Sequence, residues 1–553
     1  MRNPGPLRLM ALSLFIANVA MASDIIDEFD AIERIDQLGG TVERDDSLPG
    51  QPVVEVSLVG TKRFTTEFLH LLHAFPNLTA LHLRNIPITD AGLTELVELK
   101  SLTNLALRGA EITDDCLVNL SQLEQLTSLN LAEAHVTDFG LTELTGLKNL
   151  RTLHLNRTGI TDNGLLSIAE LKNLNHLHLG GTQITDVGLR ELRDLEQLST
   201  LGLAGTQISV DAVVEIGQRM KLMSLNLIGT QITSDELAAI DQLRCLTHLD
   251  LSGTRITDES LKHVGKLENL EVLELRGTQI GNLGVMELSG LKKLSGLNLM
   301  GTKITNASLA MILEFANLNS LNLSNTKISD LGLKRLGNLE KLTTLQCNNT
   351  QISNESMKEI KKLSNLTTLE LNGTRVNDIG LAGIGDLKNL STLRLNETLV
   401  SDNGLKEICK LTNLTILTLV HTPVSDTGLK ELRDLKQLKS LHLGRTRVTD
   451  AGLSELKGHD QLKLLGLVGT RVTDARLTHL EHLKNLSTLY LSRTHVTDVG
   501  LKEVAKLKKL KSLFILNTNT TEQGIEELKE LNPCLTINGI QDGQADDQML
   551  TFE

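Results

Sequence analysis

Two groups of residues have the types and spacing that chemistry would require. His154, His176 and His178 could offer three imidazoles to a zinc ion, and Asp250 and Glu274 could pair as a general acid and base. No carboxylate or thiolate joins the histidines, and no insertion builds a cleft that would shield the acids from water. The pattern favours polar residues on an exposed surface, and it predicts no catalytic residue, metal site or cofactor.

Other chemical signatures are weak or missing. His479 and His482 lie three residues apart without the H-E-x-x-H arrangement of a metalloprotease. The sequence contains no Walker A motif, no G-x-S-x-G and no Rossmann glycine motif. The five cysteines are odd in number and far apart, which disfavours a disulfide framework or a zinc ribbon. A net charge of −13 argues against nucleic-acid binding, which requires a basic face.

The N-terminus has the composition of an export signal. Residues 1–22 combine Arg2 and Arg8 with an apolar run over 9–19 and the small-residue end Ala-Met-Ala at 20–22. That order is typical of a secretory signal peptide, and the run is too short to cross a bilayer. We therefore expect a secreted or periplasmic protein without a membrane span.

Nearly all of the remaining chain repeats one phrase. The stretch HLHLGGTQITD at 176–186 returns as HLDLSGTRITD at 248–258 and SLHLGRTRVTD at 440–450. Aligned on the first strand leucine, nineteen units follow one another every 24 residues from Leu81 to Leu513. Such a fixed period indicates a repeat architecture, in which stacked units share one core.

Each unit has the pattern of a strand followed by a short helix. The alternation at 176–179 is strand periodicity, and the leucines spaced by three over 189–195 form the buried stripe of a helix. Asp186 precedes that stripe, so we expect its carboxylate to cap the helix. His459 interrupts the leucine stripe of its own unit, and looser packing is expected there.

From about Val53 to Ile537 the chain resembles the leucine-rich repeat family. The ITDxGL element is similar to repeats of F-box adaptors and ribonuclease-inhibitor-like proteins, and the regular 24-residue form with Thr resembles secreted bacterial repeat proteins. The resemblance implies an α/β solenoid, a horseshoe of about 19–20 repeats with parallel strands on the concave face and short helices on the convex face. The expected division is a signal peptide at 1–22, a helical cap at 23–52, the solenoid at 53–540 and an acidic disordered tail at 541–553.

A column of threonines follows the strands. Its hydroxyls are expected to point inward and to satisfy loop backbone groups that neighbouring units leave unpaired. We therefore interpret the column as structural. Its members are Thr158, Thr182, Thr206, Thr230, Thr254, Thr278, Thr302, Thr326, Thr350, Thr374, Thr398, Thr422, Thr446, Thr470, Thr494 and Thr518.

Function is expected on the repeat surface, because no unit carries an insertion. The middle strand positions form a polar strip on the predicted concave face, and basic residues recur along one rim. The candidate partner-binding patch consists of His442, Arg445, Arg447, Arg471, Tyr490 and Arg493. Arg and Tyr often dominate binding energy, and Arg matches carboxylates and sulfates. The sequence thus predicts a non-enzymatic scaffold for a protein or an anionic glycan.

The resemblance also raises an alternative, a substrate-recognition subunit of a ubiquitin ligase. About thirty residues separate the predicted signal from the first strand, which is short for an F-box domain. A repeat-bearing bacterial ubiquitin ligase would need a catalytic domain with a nucleophilic cysteine, and about twenty residues follow the last predicted helix. The binding scaffold is therefore the favoured interpretation.

Overall fold

The computed structural model describes residues 27–59, 66–533 and 535–538. The predicted signal peptide at 1–22 and the predicted tail at 541–553 lie outside the described residues. The chain divides into two compact units between Leu201 and Gly202.

The first unit opens with a helix and an antiparallel strand pair, β1 with β2, and continues as parallel strands from β2 to β7. Its strands are β1 (Thr41–Arg44), β2 (Val53–Val59), β3 (Ala80–Arg84), β4 (Asn104–Ala106), β5 (Ser128–Asn130), β6 (Thr152–His154), β7 (His176–His178) and β8 (Thr200–Gly202), which the division cuts. The α-helices are Glu28–Gln37, Asp90–Leu93, Leu117–Leu120, Asp138–Leu141, Asp162–Ile168 and Asp186–Leu189. Short 3₁₀ helices are Thr66–Ala74, Thr94–Glu98, Asp114–Cys116, Glu143–Gly146 and Arg190–Asp194.

The second unit continues the same order, and its strands from β9 to β22 pair in parallel. These strands are β9 (Ser224–Asn226), β10 (His248–Asp250), β11 (Val272–Glu274), β12 (Gly296–Asn298), β13 (Ser320–Asn322), β14 (Thr344–Gln346), β15 (Thr368–Glu370), β16 (Thr392–Arg394), β17 (Ile416–Thr418), β18 (Ser440–His442), β19 (Leu464–Gly466), β20 (Thr488–Tyr490), β21 (Ser512–Phe514) and β22 (Thr536–Asn538). The α-helices are Val210–Met220, Leu261–Val264, Asn282–Glu287, Leu309–Ile312, Asn354–Ile360, Asp378–Leu381, Asp402–Ile408, Asp426–Leu429, Asp450–Leu453, Asp498–Val504 and Glu522–Leu531. The 3₁₀ helices are Glu236–Gln242, Asp258–Ser260, Leu288–Gly290, Asn306–Ser308, Leu336–Asn338, Ile384–Asp386, Lys430–Asp434, Ser454–Leu456 and Asp474–His482.

Within each unit the leucines of the repeat form the core. In β6, Leu153 is fully buried, whereas His154 lies partly exposed on the opposite face of the strand. The following helix buries Leu165 and Ile168 against the same core. We call the face of the sheet that carries His154 and its equivalents the open face. The alternation of strand and short helix confirms the predicted leucine-rich-repeat α/β fold.

The predicted capping role of the aspartate column is wrong. Thr185, not Asp186, is the N-cap of the helix, and its Oγ1 accepts the backbone N–H of Val187 at 3.3 Å. The carboxylates of this column reach the next repeat instead: Asp162 accepts the backbone N–H and the hydroxyl of Thr185, both at 2.7 Å. The carboxylate of Asp162 thus accepts two hydrogen bonds from one residue of the next repeat. The aspartate column therefore joins successive repeats.

In most repeats glycine stands two residues after the aspartate, and the same contact explains it. A Cβ at Gly164 would fall well inside van der Waals distance of Asp138 Oδ1, and Gly428 stands in the same relation to Asp402. At these repeats the missing side chain leaves room for the carboxylate of the preceding repeat, whereas Ser356, at the same repeat position, donates its hydroxyl to Asp330. Close approach therefore accounts for the glycine in ITDxGL.

The threonine column is buried, but its acceptor differs from the expected one. Fifteen of the sixteen threonines are buried, and Thr518, the last, is partly exposed. Thr326 Oγ1 donates to the backbone oxygen of Leu323 at 2.6 Å, and every member makes the same bond to the residue three positions earlier. The hydroxyl thus satisfies a carbonyl of its own repeat, just after the strand, and not a loop of the neighbouring repeat.

His459 occupies a leucine position and is fully buried. Its Nδ1 lies 3.0 Å from the backbone oxygen of Leu456, and its Nε2 lies 3.0 Å from that of Leu432. The prediction of looser packing in this repeat is therefore wrong at His459, because the buried imidazole fills the leucine position and both of its nitrogens contact backbone oxygens.

Candidate binding site on the open face of the second unit

A cavity of about 180 Å³ lies on the open face across β16 to β20. It arises where the row of middle strand residues reaches Gly466, which has no side chain and leaves a notch between His442 and Tyr490. A Cβ at Gly466 would lie 3.0 Å from His442 Nδ1, so a larger residue would begin to fill the notch. The lining residues are Arg394, Asn396, Ile416, Thr418, Val420, Ser440, His442, Gly444, Leu464, Gly466, Val468 and Tyr490.

Thr418 contributes a buried hydroxyl that lacks a partner. The residue is 5% exposed, and its Oγ1 forms no hydrogen bond with any described residue. It lies in register between Arg394 on β16 and His442 on β18. Because buried polar groups are nearly always paired, this hydroxyl marks a position where a ligand can supply a hydrogen bond.

The charged groups of the cavity are held within the protein. Arg394 Nε lies 3.3 Å from Glu370 Oε1, and Asn348 donates to the other oxygen of Glu370 at 2.8 Å. The positive charge of Arg394 is thus balanced beside the cavity. Its guanidinium has a fixed position from which it can donate to an incoming polar group.

His442 and Tyr490 are uncharged near neutral pH. Burial, with a smaller effect from the charge of Arg394, lowers the pKa of His442 to about 4. Burial also raises the pKa of Tyr490. His442 Nε2 lies 3.1 Å from the Ser440 hydroxyl. Apart from Arg394, whose charge Glu370 balances, the residues that line the cavity are therefore uncharged, and part of the lining is apolar.

The structure places the six residues of the predicted patch in two settings. His442 and Tyr490 line the cavity. Tyr490 is 6% exposed and stacks on Phe514 with ring centroids 4.3 Å apart. Tyr490 is thus largely buried beneath the neighbouring aromatic ring while it still borders the cavity.

The four arginines are exposed and lie along the rim where the strands end. Arg445 and Arg493 adopt left-handed backbone conformations, with φ of 54° and 58°, in a column where glycine is common. Among the residues that the structure describes, Arg445, Arg447 and Arg471 form no ion pair. Other residues that are not glycine have a positive φ at the same turn, Glu133, Arg157 and Glu397 among them, so this conformation belongs to the turn of the repeat.

Family models match much of the chain. A leucine-rich repeat region model matches residues 297–456, a leucine-rich repeat model matches 148–208, and a third matches 242–264, 266–289 and 477–505. The chain belongs to the leucine-rich repeat family. The matches do not single out the ribonuclease-inhibitor-like type.

Several solved leucine-rich repeat structures are similar to this chain in fold. They include the plant peptide hormone receptor RGFR1 in complex with RGF2, with 20% identity, coverage of 84% of this chain and 90% of that chain, and a TM-score of 0.38. An internalin from Listeria monocytogenes has 22% identity, coverage of 66% and 89%, and a TM-score of 0.37. A Leptospira interrogans leucine-rich repeat protein has 23% identity, coverage of 82% and 95%, and a TM-score of 0.32. No curated protein matches the sequence.

The histidine group and the pair of acids that the sequence analysis considered lie outside this cavity. His154 and His178 stack with ring centroids 4.4 Å apart, and burial is the main cause that lowers the pKa of both, to about 4 for His178. Asp250 accepts the backbone N–H of Ser252 at 2.9 Å. Burial raises the pKa of Glu274, with Asp250 adding to the rise.

His442 and Tyr490 were named from the sequence as candidates, but the cavity between them was missed. Two signals were available: Gly466 stands at an open-face position that most repeats fill with a polar side chain, and Gly444 follows two residues after His442. A glycine within a row of larger side chains predicts a depression in the open face at that strand. Thr418 could not have been singled out, since only the structure shows that its hydroxyl lacks a partner.

Proposed function

We propose that this leucine-rich repeat protein is a non-enzymatic scaffold that binds an extended protein segment across β16 to β20. The buried Thr418 hydroxyl without a partner carries the proposal. A folded protein retains such a group at a cost of about 1–3 kcal/mol, and a ligand that hydrogen-bonds to it recovers part of that cost. The cavity around it supplies the remaining contacts.

The size of the cavity favours one anchoring side chain over a whole small molecule. Pockets for small molecules usually measure about 300–1,000 Å³, whereas this one measures about 180 Å³. Ile416, Leu464 and Val468 give it apolar walls. A leucine or an aromatic residue of the partner would bury its side chain there, which is the usual form of an interface anchor.

The rim arginines suggest the charge of the flanking partner residues. Arg445, Arg447 and Arg471 are exposed, and each can pair with a carboxylate of the partner. The apolar walls favour a protein segment over an anionic glycan, which would use the arginines alone. The partner that fits best is an acidic segment with one large apolar residue.

We also propose that the protein acts outside the cytoplasm, on the strength of the signal-like pattern at 1–22. None of the described helices has the length and apolar character to cross a bilayer. Exported protein is expected to begin at Ser23, and N-terminal sequencing would check this. Exported chains that retain Met1 would contradict the signal peptide.

Selection from a phage-displayed random peptide library against the full chain tests the binding site. Selected peptides are expected to carry acids around an apolar residue, and Thr418→Val should weaken binding about two- to tenfold, the value of one hydrogen bond. Gly466→Leu should fill the notch and abolish binding. Asn298→Leu is the matched control, because it makes the same residue at the same strand position outside the cavity.

Three outcomes would contradict this function. Peptides that bind Gly466→Leu as well as the parent protein would place the site elsewhere. Heparin binding that depends on Arg447 and Arg471 but not on Gly466 would indicate an anionic glycan. Binding that is indifferent to salt would exclude the rim arginines, whose exposed charges are screened at high ionic strength.

A further inference from the structure

Three side chains with metal-binding atoms converge in the first unit. His70 and His73 lie on the 3₁₀ helix Thr66–Ala74, and Glu95 lies on the 3₁₀ helix Thr94–Glu98. Glu95 Oε2 is 3.2 Å from His70 Nδ1 and 3.8 Å from His73 Nε2. The three ligand atoms all lie within 4.8 Å of one another.

The helix geometry and the core fix this arrangement. A 3₁₀ helix has three residues per turn, so side chains at i and i+3 lie directly above one another. Leu69 and Leu72, each adjacent to one of the histidines, are buried, which holds the opposite side of the helix against the core. Leu96 is likewise buried next to Glu95. The three ligands thus project from backbone that the core holds in place.

We propose that His70, His73 and Glu95 bind a divalent transition-metal ion, for which Zn²⁺ is the best fit. Zinc binds imidazole nitrogen and carboxylate oxygen at about 2.0–2.2 Å in a tetrahedron, which separates neighbouring ligand atoms by about 3.3 Å. The two contacts of Glu95, 3.2 and 3.8 Å, are close to that separation. An ion enters with small rotations of the exposed side chains.

The ligand set also selects the class of ion. Two imidazoles and one carboxylate suit Zn²⁺, Ni²⁺ or Cu²⁺, whereas Mg²⁺ and Ca²⁺ prefer all-oxygen sites. Three protein ligands leave one tetrahedral position for water or for a group of another molecule. His70 is 58% exposed, so that position is open to solvent.

Other histidines in the chain provide a comparison. His479 and His482 have the same spacing on another 3₁₀ helix. Among the described residues, however, only the group at His70 brings three metal-binding side chains together. The carboxylate of Glu95 therefore distinguishes the proposed site from an incidental pair of histidines.

Titration of the chelator-treated full chain with Zn²⁺, followed by calorimetry, tests the site. One saturable site is expected, and His73→Ala or Glu95→Gln should weaken it about tenfold or more, since even the loss of an outer partner of a metal ligand costs 10–100-fold. The double variant His479→Ala/His482→Ala is the matched control and should bind as the parent does. Ca²⁺ should not compete.

A second measurement guards against misfolded variants. Zn²⁺ should raise the thermal midpoint of the parent chain, because an ion that binds only the folded state stabilises it, and this rise should disappear in Glu95→Gln while circular dichroism stays unchanged. No saturable binding by the parent would overturn the proposal. Zn²⁺ binding that survives both His73→Ala and Glu95→Gln would also overturn it. Zn²⁺ binding that is lost in the control, or in His178→Ala, which alters the other group of histidines, would place the ion elsewhere and overturn it as well.

Discussion

Two buried threonines in one repeat give opposite predictions for the same substitution. Thr418 is 5% exposed and Thr422 is 4% exposed. Thr422 Oγ1 donates to the backbone oxygen of Leu419 at 2.6 Å, whereas no described residue pairs with Thr418 Oγ1. Replacement by valine keeps the shape of either side chain and removes only the hydroxyl.

The expected magnitudes follow from the two hydrogen-bonding states. Thr422→Val removes a donor from a buried carbonyl, which lowers the free energy of unfolding by about 1–3 kcal/mol. Thr418→Val removes a hydroxyl whose burial without a partner is itself unfavourable by about 1–3 kcal/mol. Because that hydroxyl borders an open cavity that water can enter, we expect Thr418→Val to raise the free energy of unfolding by no more than the lower end of this range.

Urea unfolding followed by far-UV circular dichroism measures both effects. With a slope of about 2 kcal/mol per molar urea, Thr422→Val should lower the midpoint by about 0.5 M or more, and Thr418→Val should leave it unchanged or raise it. Repeat proteins can unfold in parts, but both residues lie in one repeat and report on the same part.

Equal losses from the two substitutions would refute the reasoning. That result would mean that Thr418 has a partner in the folded protein, and it would remove the main support for the proposed binding site. A Thr422→Val midpoint equal to that of the parent would instead show that the threonine column adds nothing to stability.

Three further outcomes are expected, each measured by urea unfolding. Gly428→Ala should lower stability by about 1–3 kcal/mol through overpacking against Asp402, whereas Gly146→Ala, which meets nothing within 4 Å, should not; equal effects would contradict the close-approach argument. His459→Leu restores the repeat pattern and should maintain or raise the midpoint, and a loss would show that the two carbonyl contacts matter more than burial. Burial opposes ionisation of Asp330, but hydrogen bonds from serines, Ser356 among them, lower its pKa. The stability that this carboxylate adds is therefore present above its ordinary pKa of 3.8 and is lost as the pH falls below it. Ser356→Gly should reduce this loss of stability in acid, and an unchanged pH profile of the urea midpoint would contradict the assignment.

The sequence alone predicted the fold because its information is local and repeated. The alternation around Leu153 and the leucines spaced by three specify a strand and a short helix in each repeat. Nineteen copies make that prediction robust, since an error in one unit does not alter the period. The family and the strand-and-helix order were therefore available without coordinates.

Contacts between repeats were only partly predictable. The aspartate was expected to cap its own helix, and the structure shows Asp162 bonded to Thr185 of the next repeat. A capping residue and a residue that joins repeats have the same position in the sequence pattern. The direction of the carboxylate depends on which donors the stacked neighbour presents.

The period and the leucine core were thus determined by the sequence, and the candidate site was decided by the tertiary structure. The cavity brings together residues that are far apart in sequence: Thr418 follows Arg394 by 24 residues and precedes Gly466 by 48. They share the cavity only because β16 to β20 lie side by side. A glycine is a gap only when its neighbours have side chains around it. A hydroxyl lacks a partner only when every surrounding group is in place, because hydrogen-bond satisfaction belongs to the packed environment and not to the residue.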